Sequence, residues 1–169
     1  MIKYYFYSLK KTIKPKRALF IFNHSELSKK KKYSLLIKSG VRISDRALIV
    51  PPFHYEHGNI ELVGNVFVNA NCIFLDKEKI TIKDGAMIGP NVSLVTISHN
   101  SDIKKRHTHD IIAPIVIEQN AWVCAGAVIL PGVTIGENSI IAANSVVNCD
   151  VPANTMYAGT PAVFKKHLN

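Results

Sequence analysis

Few side chains in this chain of 169 residues are suited to acid–base or ligand chemistry, chiefly seven histidines and three cysteines. A histidine ring titrates near neutral pH, so His99, at the mouth of a polar segment, can take a proton from a hydroxyl. The plainer alternative is a surface histidine, the reading given to His24, His54, His57 and His167. His107 and His109 form an H-x-H pair that supplies two metal ligands at most. No third histidine or acid stands at useful spacing, and no metal is expected. Cys72, Cys124 and Cys149 contain no CxxC pair, cannot close a disulfide set in odd number, and include no thiol beside a histidine in sequence. They read as small apolar fillers in a reducing compartment, with the cytoplasm as default.

The elements that must position these groups show as a repeat. From Ile117 an aliphatic residue returns at every sixth position: Ile117, Val123, Ile129, Ile135, Ile141 and Val147. The spacing also occurs at Ile82, Ile88 and Leu94, and at Ile60, Val66 and Cys72, with insertions between the blocks. The third residue after the aliphatic is Gly85, Asn91, Asn120, Gly126, Gly132, Asn138, Asn144 or Asp150. Gly, Asn and Asp tolerate a left-handed backbone, so each hexapeptide is a short strand closed by a tight corner, and the fourth residue is small enough to fill it. A parallel β-solenoid follows, its stacked coils sharing one apolar core. The 23-residue jump from Leu94 to Ile117 expels a loop of about residues 100–113. His99 stands at its mouth, and Trp122 takes an outward position.

Composition agrees with one folded domain: 47% of residues are hydrophobic and 20% charged, which excludes a disordered chain. No run approaches the roughly 18 apolar residues of a membrane span. The net charge of +9 is unevenly placed. Residues 1–40 hold 11 Lys/Arg against Glu26 alone, or +10, and the remainder has 10 basic and 11 acidic residues, or −1. No basic face or motif on the solenoid suggests nucleic acid. A leader mixing Lys with Tyr and Phe suits peripheral contact with an anionic membrane, at its inner face; a solvated leader packing a few aromatics on the body is the alternative.

The repeats, Ile97-Ser-His99, Asn120-Ala-Trp122 and the ending Tyr157-Ala-Gly-Thr-Pro-Ala162 together resemble the hexapeptide-repeat acyltransferases, most closely the galactoside and maltose O-acetyltransferase group, over roughly residues 60–166. The resemblance implies a left-handed parallel β-helix working as a homotrimer, with acetyl-CoA held between subunits. Expected organisation is a basic N-terminal segment over 1–40, part helical, the β-helix over 41–157, and a cofactor loop and tail over 158–169. The group's N-terminal helical domain has no visible counterpart; a Lys-rich stretch from Glu26 to Lys38 suits one short helix.

By position in the family motif, His99 is the base and Asn69 orients the acceptor or stabilises the tetrahedral intermediate. Trp122 lies beside the cofactor, the Ala125 amide donates to the oxyanion, and Ala143 and Thr160 border the pantetheine arm. Lys165 and Lys166 meet nucleotide phosphates, and Phe67 and Asp76 stand near the acceptor. Asn69 has a competing explanation, because a corner three residues after Val66 calls for Asn. The expected function is transfer of acetyl from acetyl-CoA to a sugar hydroxyl, possible in surface polysaccharide synthesis. Acetylation of a nucleotide-linked amino sugar, of serine or of an antibiotic are alternatives. A non-catalytic scaffold fits less well, because the outward positions show no regular array.

Overall fold

The structure, a computed structural model, describes residues 2–169, with side chains from residue 5 onward. Three helices come first: α1 (Ile2–Ser8), α2 (Pro15–His24) and α3 (Lys29–Lys38). Pro15 opens α2, where its missing N–H leaves no bond unmade. Ala18, Leu19, Ile21 and Phe22 of α2 and Tyr33, Leu35 and Leu36 of α3 are buried. Asn23 fixes α2 to the solenoid by exchanging hydrogen bonds with the backbone of Phe53, at 2.9 and 3.0 Å. The Tyr33 hydroxyl donates to the Ala47 carbonyl and accepts from the Ile49 N–H. A folded helical cap thus stands where a leader with one short helix was expected. Helices of two or three turns are too short for a helical period to be read, and in α3 five of the ten residues are lysine.

The solenoid then winds in five coils of three strands. The first holds β1 (Arg42–Ile43), β2 (Leu48–Ile49) and β3 (Phe53–Tyr55); the second β4 (Ile60–Leu62), β5 (Phe67–Val68) and β6 (Cys72–Leu75); the third β7 (Ile80–Ile82), β8 (Met87–Ile88) and β9 (Ser93–Val95). A hairpin, β10 (Ile97–His99) and β11 (Asp110–Ile112), leaves after β9. The fourth coil is β12 (Ile115–Ile117), β13 (Trp122–Val123) and β14 (Val128–Ile129), and the fifth β15 (Thr134–Ile135), β16 (Ile140–Ile141) and β17 (Val146–Val147). Closing strands β18 (Thr155–Gly159) and β19 (Ala162–His167) complete the chain. Strands of like position stack in parallel into three faces: β1-β4-β7-β12-β15, β2-β5-β8-β13-β16-β18 and β3-β6-β9-β14-β17. Inward columns such as Val68, Ile88, Val123 and Ile141 are fully buried, each side chain contributing about 1.5–3 kcal/mol.

The register corrects the phase of the second coil. Leu62, Val68 and Phe74, not Ile60, Val66 and Cys72, align with Ile82, Ile88 and Leu94. Asn71 therefore takes the left-handed corner, at φ 62°, and Asn69 does not. Corners elsewhere follow the sequence rule. Asn120, Asn138 and Asn154 have φ of 55–58°, and their side chains form a ladder of hydrogen bonds at 3.3 and 2.9 Å. Below this ladder Gly85 has φ 74°, and a Cβ there would lie 2.0 Å from Asn120 Oδ1. Asp150 departs from the rule; it stays outside the left-handed region and accepts the Thr134 N–H at 2.7 Å.

Two expected loops are hairpins. The excursion begins at Ile97, earlier than expected, and pairs β10 with β11 antiparallel before the exposed tip at 100–109. Residues 158–169 include β19, which turns at Thr160–Pro161 and pairs antiparallel with β18.

Candidate active site

One edge of the prism, between the second and third faces, gathers four of the ten expected site residues: Asn69, Ala125, Ala143 and Thr160. Its corners are stacked as Asn69-Ala70-Asn71, Gly89-Pro90-Asn91, Cys124-Ala125-Gly126 and Ala142-Ala143-Asn144, with Gly159-Thr160 on the last rung. Backbone bonds from Asn91 N–H to Ala70, Gly126 N–H to Pro90 and Asn144 N–H to Ala125 tie successive corners together. Four inter-strand spacings of about 4.8 Å make this edge about 19 Å long, enough for an extended arm bearing a reactive end.

The amide hydrogens along the edge differ. Asn69 Oδ1 accepts the Ala70 N–H at 2.8 Å, which leaves Asn69 Nδ2 as a donor. Cys124 N–H is bonded to Ile141 O and Gly126 N–H to Pro90 O, both at 2.9 Å. Among the described residues no acceptor lies on the Ala125 N–H between them, or on that of Ala143. Side chains at both positions are small, and on the neighbouring rung the absence of a Cβ at Gly89, which would stand 2.7 Å from Ala125 N, leaves room beside that amide. A backbone N–H held rigidly by bonded neighbours is suited to a developing oxyanion, because it needs no reorganisation when charge appears. With Asn71 supplying the left-handed corner, the repeat does not explain Asn69.

Trp122 projects from the second face just before this edge, 43% exposed. Its cross-strand neighbours are Met87 and Ile140, and the outward column reads Leu48, Phe67, Met87, Trp122, Ile140 and Met156. Every member is apolar. The sequence alone interleaves three faces and hides this ladder. Lys166 pairs with Met156 and continues the column, whereas Lys165 falls in the bulge between Met156 and Tyr157. Of the two expected phosphate contacts, Lys166 is the one in line with Trp122. The opposite character marks the first face, where Arg42, Glu61 and Lys79 pair and Lys83 meets Glu118; the hydrogen bond from Lys79 holds the Glu61 carboxyl below its ordinary value.

Asp76 does not reach this edge. It is fully buried at another corner, where its carboxylate accepts the N–H groups of Glu56, His57, Gly58 and Asn59 at 2.6–3.0 Å. With both oxygens taken, it anchors the first coil to the second. Phe67 lies in the Trp122 column, two rungs away.

His99 lies on the excursion hairpin, beyond the far side of the third face. Its side chain is 73% exposed, and Nδ1 is 3.2 Å from Asp110 Oδ1. A carboxylate at ion-pair distance from Nδ1 favours a proton on that nitrogen and leaves Nε2 to act as base. Sequence reading missed Asp110, since only the hairpin register shows that two residues bracketing a ten-residue tip stand opposite each other. The whole third face, from the corner at Asn91 through β9 to the hairpin, separates His99 from Ala125 within a single chain.

Comparison with known proteins agrees with this architecture. The family described as Bacterial transferase hexapeptide (six repeats) matches residues 114–149. A putative acetyltransferase of Schizosaccharomyces pombe is 45% identical over 68% of this chain and 56% of its own length. The galactoside O-acetyltransferase of Escherichia coli is 35% identical over 94% of this chain and 80% of its own. That match takes in the helical cap. Among solved structures, a Vibrio cholerae hexapeptide-repeat acetyltransferase complexed with acetyl coenzyme A superposes with a TM-score of 0.87 at 39% identity, covering 92% of this chain and 85% of that one. A maltose O-acetyltransferase of Clostridium difficile gives 0.85 at 34% identity, covering 91% and 84%. The fold is their left-handed parallel β-helix, and with a relative 35% identical over 94% of this chain and 80% of its own, the chain belongs to the hexapeptide-repeat acyltransferases, in the galactoside and maltose O-acetyltransferase group.

Proposed function

We propose that the protein transfers the acetyl group of acetyl-CoA to a hydroxyl of a sugar or glycan, in a site completed between the subunits of a homotrimer. The observation that carries this reading is the edge where Asn69, the open Ala125 and Ala143 amides and Thr160 follow one another along about 19 Å, beside a column running from Trp122 to Lys166. The thioester carbonyl belongs against the Ala125 N–H, the pantetheine arm along Ala143 and Thr160, and the phosphates toward Lys166. Relatives and structural neighbours named for galactoside, for maltose and for acetyl-CoA support the donor and the acceptor class.

His99 Nε2 takes the proton of the acceptor hydroxyl as its oxygen attacks the thioester carbon. Negative charge on the tetrahedral oxygen is held by the Ala125 N–H, and Asn69 Nδ2 donates to the acceptor or to that oxygen. The C–S bond then breaks, and the departing thiolate recovers the proton from His99. Separation of His99 from Ala125 within one chain supports a shared site, in which one subunit's hairpin faces another's edge. The ladder of Leu48, Met87 and Trp122, each 43–45% exposed, supplies an apolar surface for such packing. A surface-polysaccharide acceptor is the pathway this reading favours.

A thiol-release assay with acetyl-CoA and a panel of sugars tests it. His99→Ala is expected to lower kcat about 10²–10⁴-fold; equal release by variant and wild type would remove His99 as base. A monomer in light scattering at micromolar concentration would contradict the intersubunit site.

A further inference from the structure

The helical cap covers the first-coil end of the solenoid, and its two sides differ in chemistry. Inner residues of α2 and α3 are buried against β1 and β3. The outer side exposes Phe6 (58%), Leu9 (88%) and Phe20 (51%) among exposed Lys10, Lys11 and Lys16. Lys38 donates to the Ser8 carbonyl, and the Lys31 ammonium lies 5.9 Å from the Tyr5 ring, so α1 is held alongside α3. On α3 a groove of about 680 Å³ opens toward the first coil, lined by Tyr33, Ile37 and Ile43 together with Lys29, Lys30 and Lys38. Cations and exposed apolar side chains are therefore interleaved over one end of the molecule.

We propose that this cap docks the protein on a lipid bilayer bearing anionic headgroups. Residues 1–40 carry +10 and the rest of the chain −1, so attraction to an anionic surface is directed through the cap. Each lysine brought to such a surface strengthens binding about fivefold. Leu9 and Phe6 enter the headgroup boundary beside them, the arrangement of an interfacial helix. Among the described residues no helix is long and apolar enough to cross a membrane, so the contact is peripheral. A nucleic acid would satisfy the lysines but offer nothing to Leu9. A second copy docking through the same cap would set +10 against +10. The cap packs on the first coil and Asn69 stands on the second rung, so docking turns the Asn69 end of the edge toward the membrane and the Lys166 end away. That orientation rests on the proposed acceptor site; the docking itself does not.

Co-sedimentation of the full chain with phosphatidylcholine vesicles, with and without phosphatidylglycerol, tests the proposal. Retention is expected on the anionic vesicles at low salt and release at high salt, where screening shortens to about 3 Å. Lys10→Glu with Lys11→Glu is expected to weaken binding about twenty-five-fold or more, and Leu9→Ser about tenfold, with the oligomeric state and acetylation of a soluble sugar unchanged. Absence of retention by anionic vesicles overturns the proposal. So does binding indifferent to Leu9→Ser, which marks the cap as a sink for any polyanion, or a changed oligomeric state in the variants, which marks it as a subunit contact. Vesicle binding is read without turnover, so failure of the acetyl-transfer assay would leave this result standing.

Discussion

Asp110 stands directly across the excursion hairpin from His99, with its Oδ1 3.2 Å from His99 Nδ1. The hairpin register that pairs β10 with β11 thus also sets a carboxylate beside the ring, at the root of the exposed tip. His99 is 73% and Asp110 41% exposed in the single chain. Solvent weakens such a pair, and its contribution is accordingly modest.

Asp110→Asn is therefore expected to lower kcat about five- to tenfold and to leave KM for acetyl-CoA near its wild-type value, because orientation of the base matters to proton transfer and not to donor binding. Asp110→Glu restores part of the rate. A loss confined to KM in steady-state kinetics would show that Asp110 serves only the hairpin.

Ala143 makes the opposite test. Its exposed side chain sits at a corner where only the backbone is called for. Ala143→Leu is expected to raise KM for acetyl-CoA about tenfold by covering the amide, with thermal stability unchanged and kcat at saturation within about twofold. Unaltered KM would place the pantetheine arm elsewhere.

Asp76 concerns stability. Asp76→Ala leaves four N–H groups of residues 56–59 without their acceptor. Urea unfolding is expected to show a loss of about 3 kcal/mol or more. A loss below about 1 kcal/mol would mean that water replaces the carboxylate.

Thiol reactivity should separate the three cysteines. Cys149 is exposed, Cys124 is half-buried with its thiol pushed up by burial, and Cys72 is buried with its thiol pushed up to about 11. The thiolate is the reacting form, so raising the thiol above solution pH suppresses attack. At pH 8 an aromatic disulfide reagent is expected to label Cys149 at once, Cys124 slowly, and Cys72 only on unfolding. Bound acetyl-CoA should slow Cys124 further, since its neighbour is Ala125. Early labelling of Cys72 would refute the buried placement.

The repeat was legible in the sequence because each position of a hexapeptide answers to a local demand. Ile117, Val123 and Ile129 must face inward, Ala121 and Ala127 must fit a corner, and Asn120 and Gly126 must accept a left-handed backbone. Those demands fix the coil, and with the motifs around His99 and Trp122 they were enough for the family. They do not fix which residues of different coils meet. Stacking depends on the lengths of insertions, so the two-residue offset that moves the second coil from Val66 to Val68, and frees Asn69 from the corner, emerged only when the coils lay on one another. The apolar column of Trp122, the in-line position of Lys166 and the pairing of His99 with Asp110 are likewise products of register between distant segments. The cap follows the same logic, since Leu19, Phe22 and Leu36 become a core only against the first coil. The sequence by itself thus determined what each short segment could be, and tertiary stacking decided which of those segments share a site.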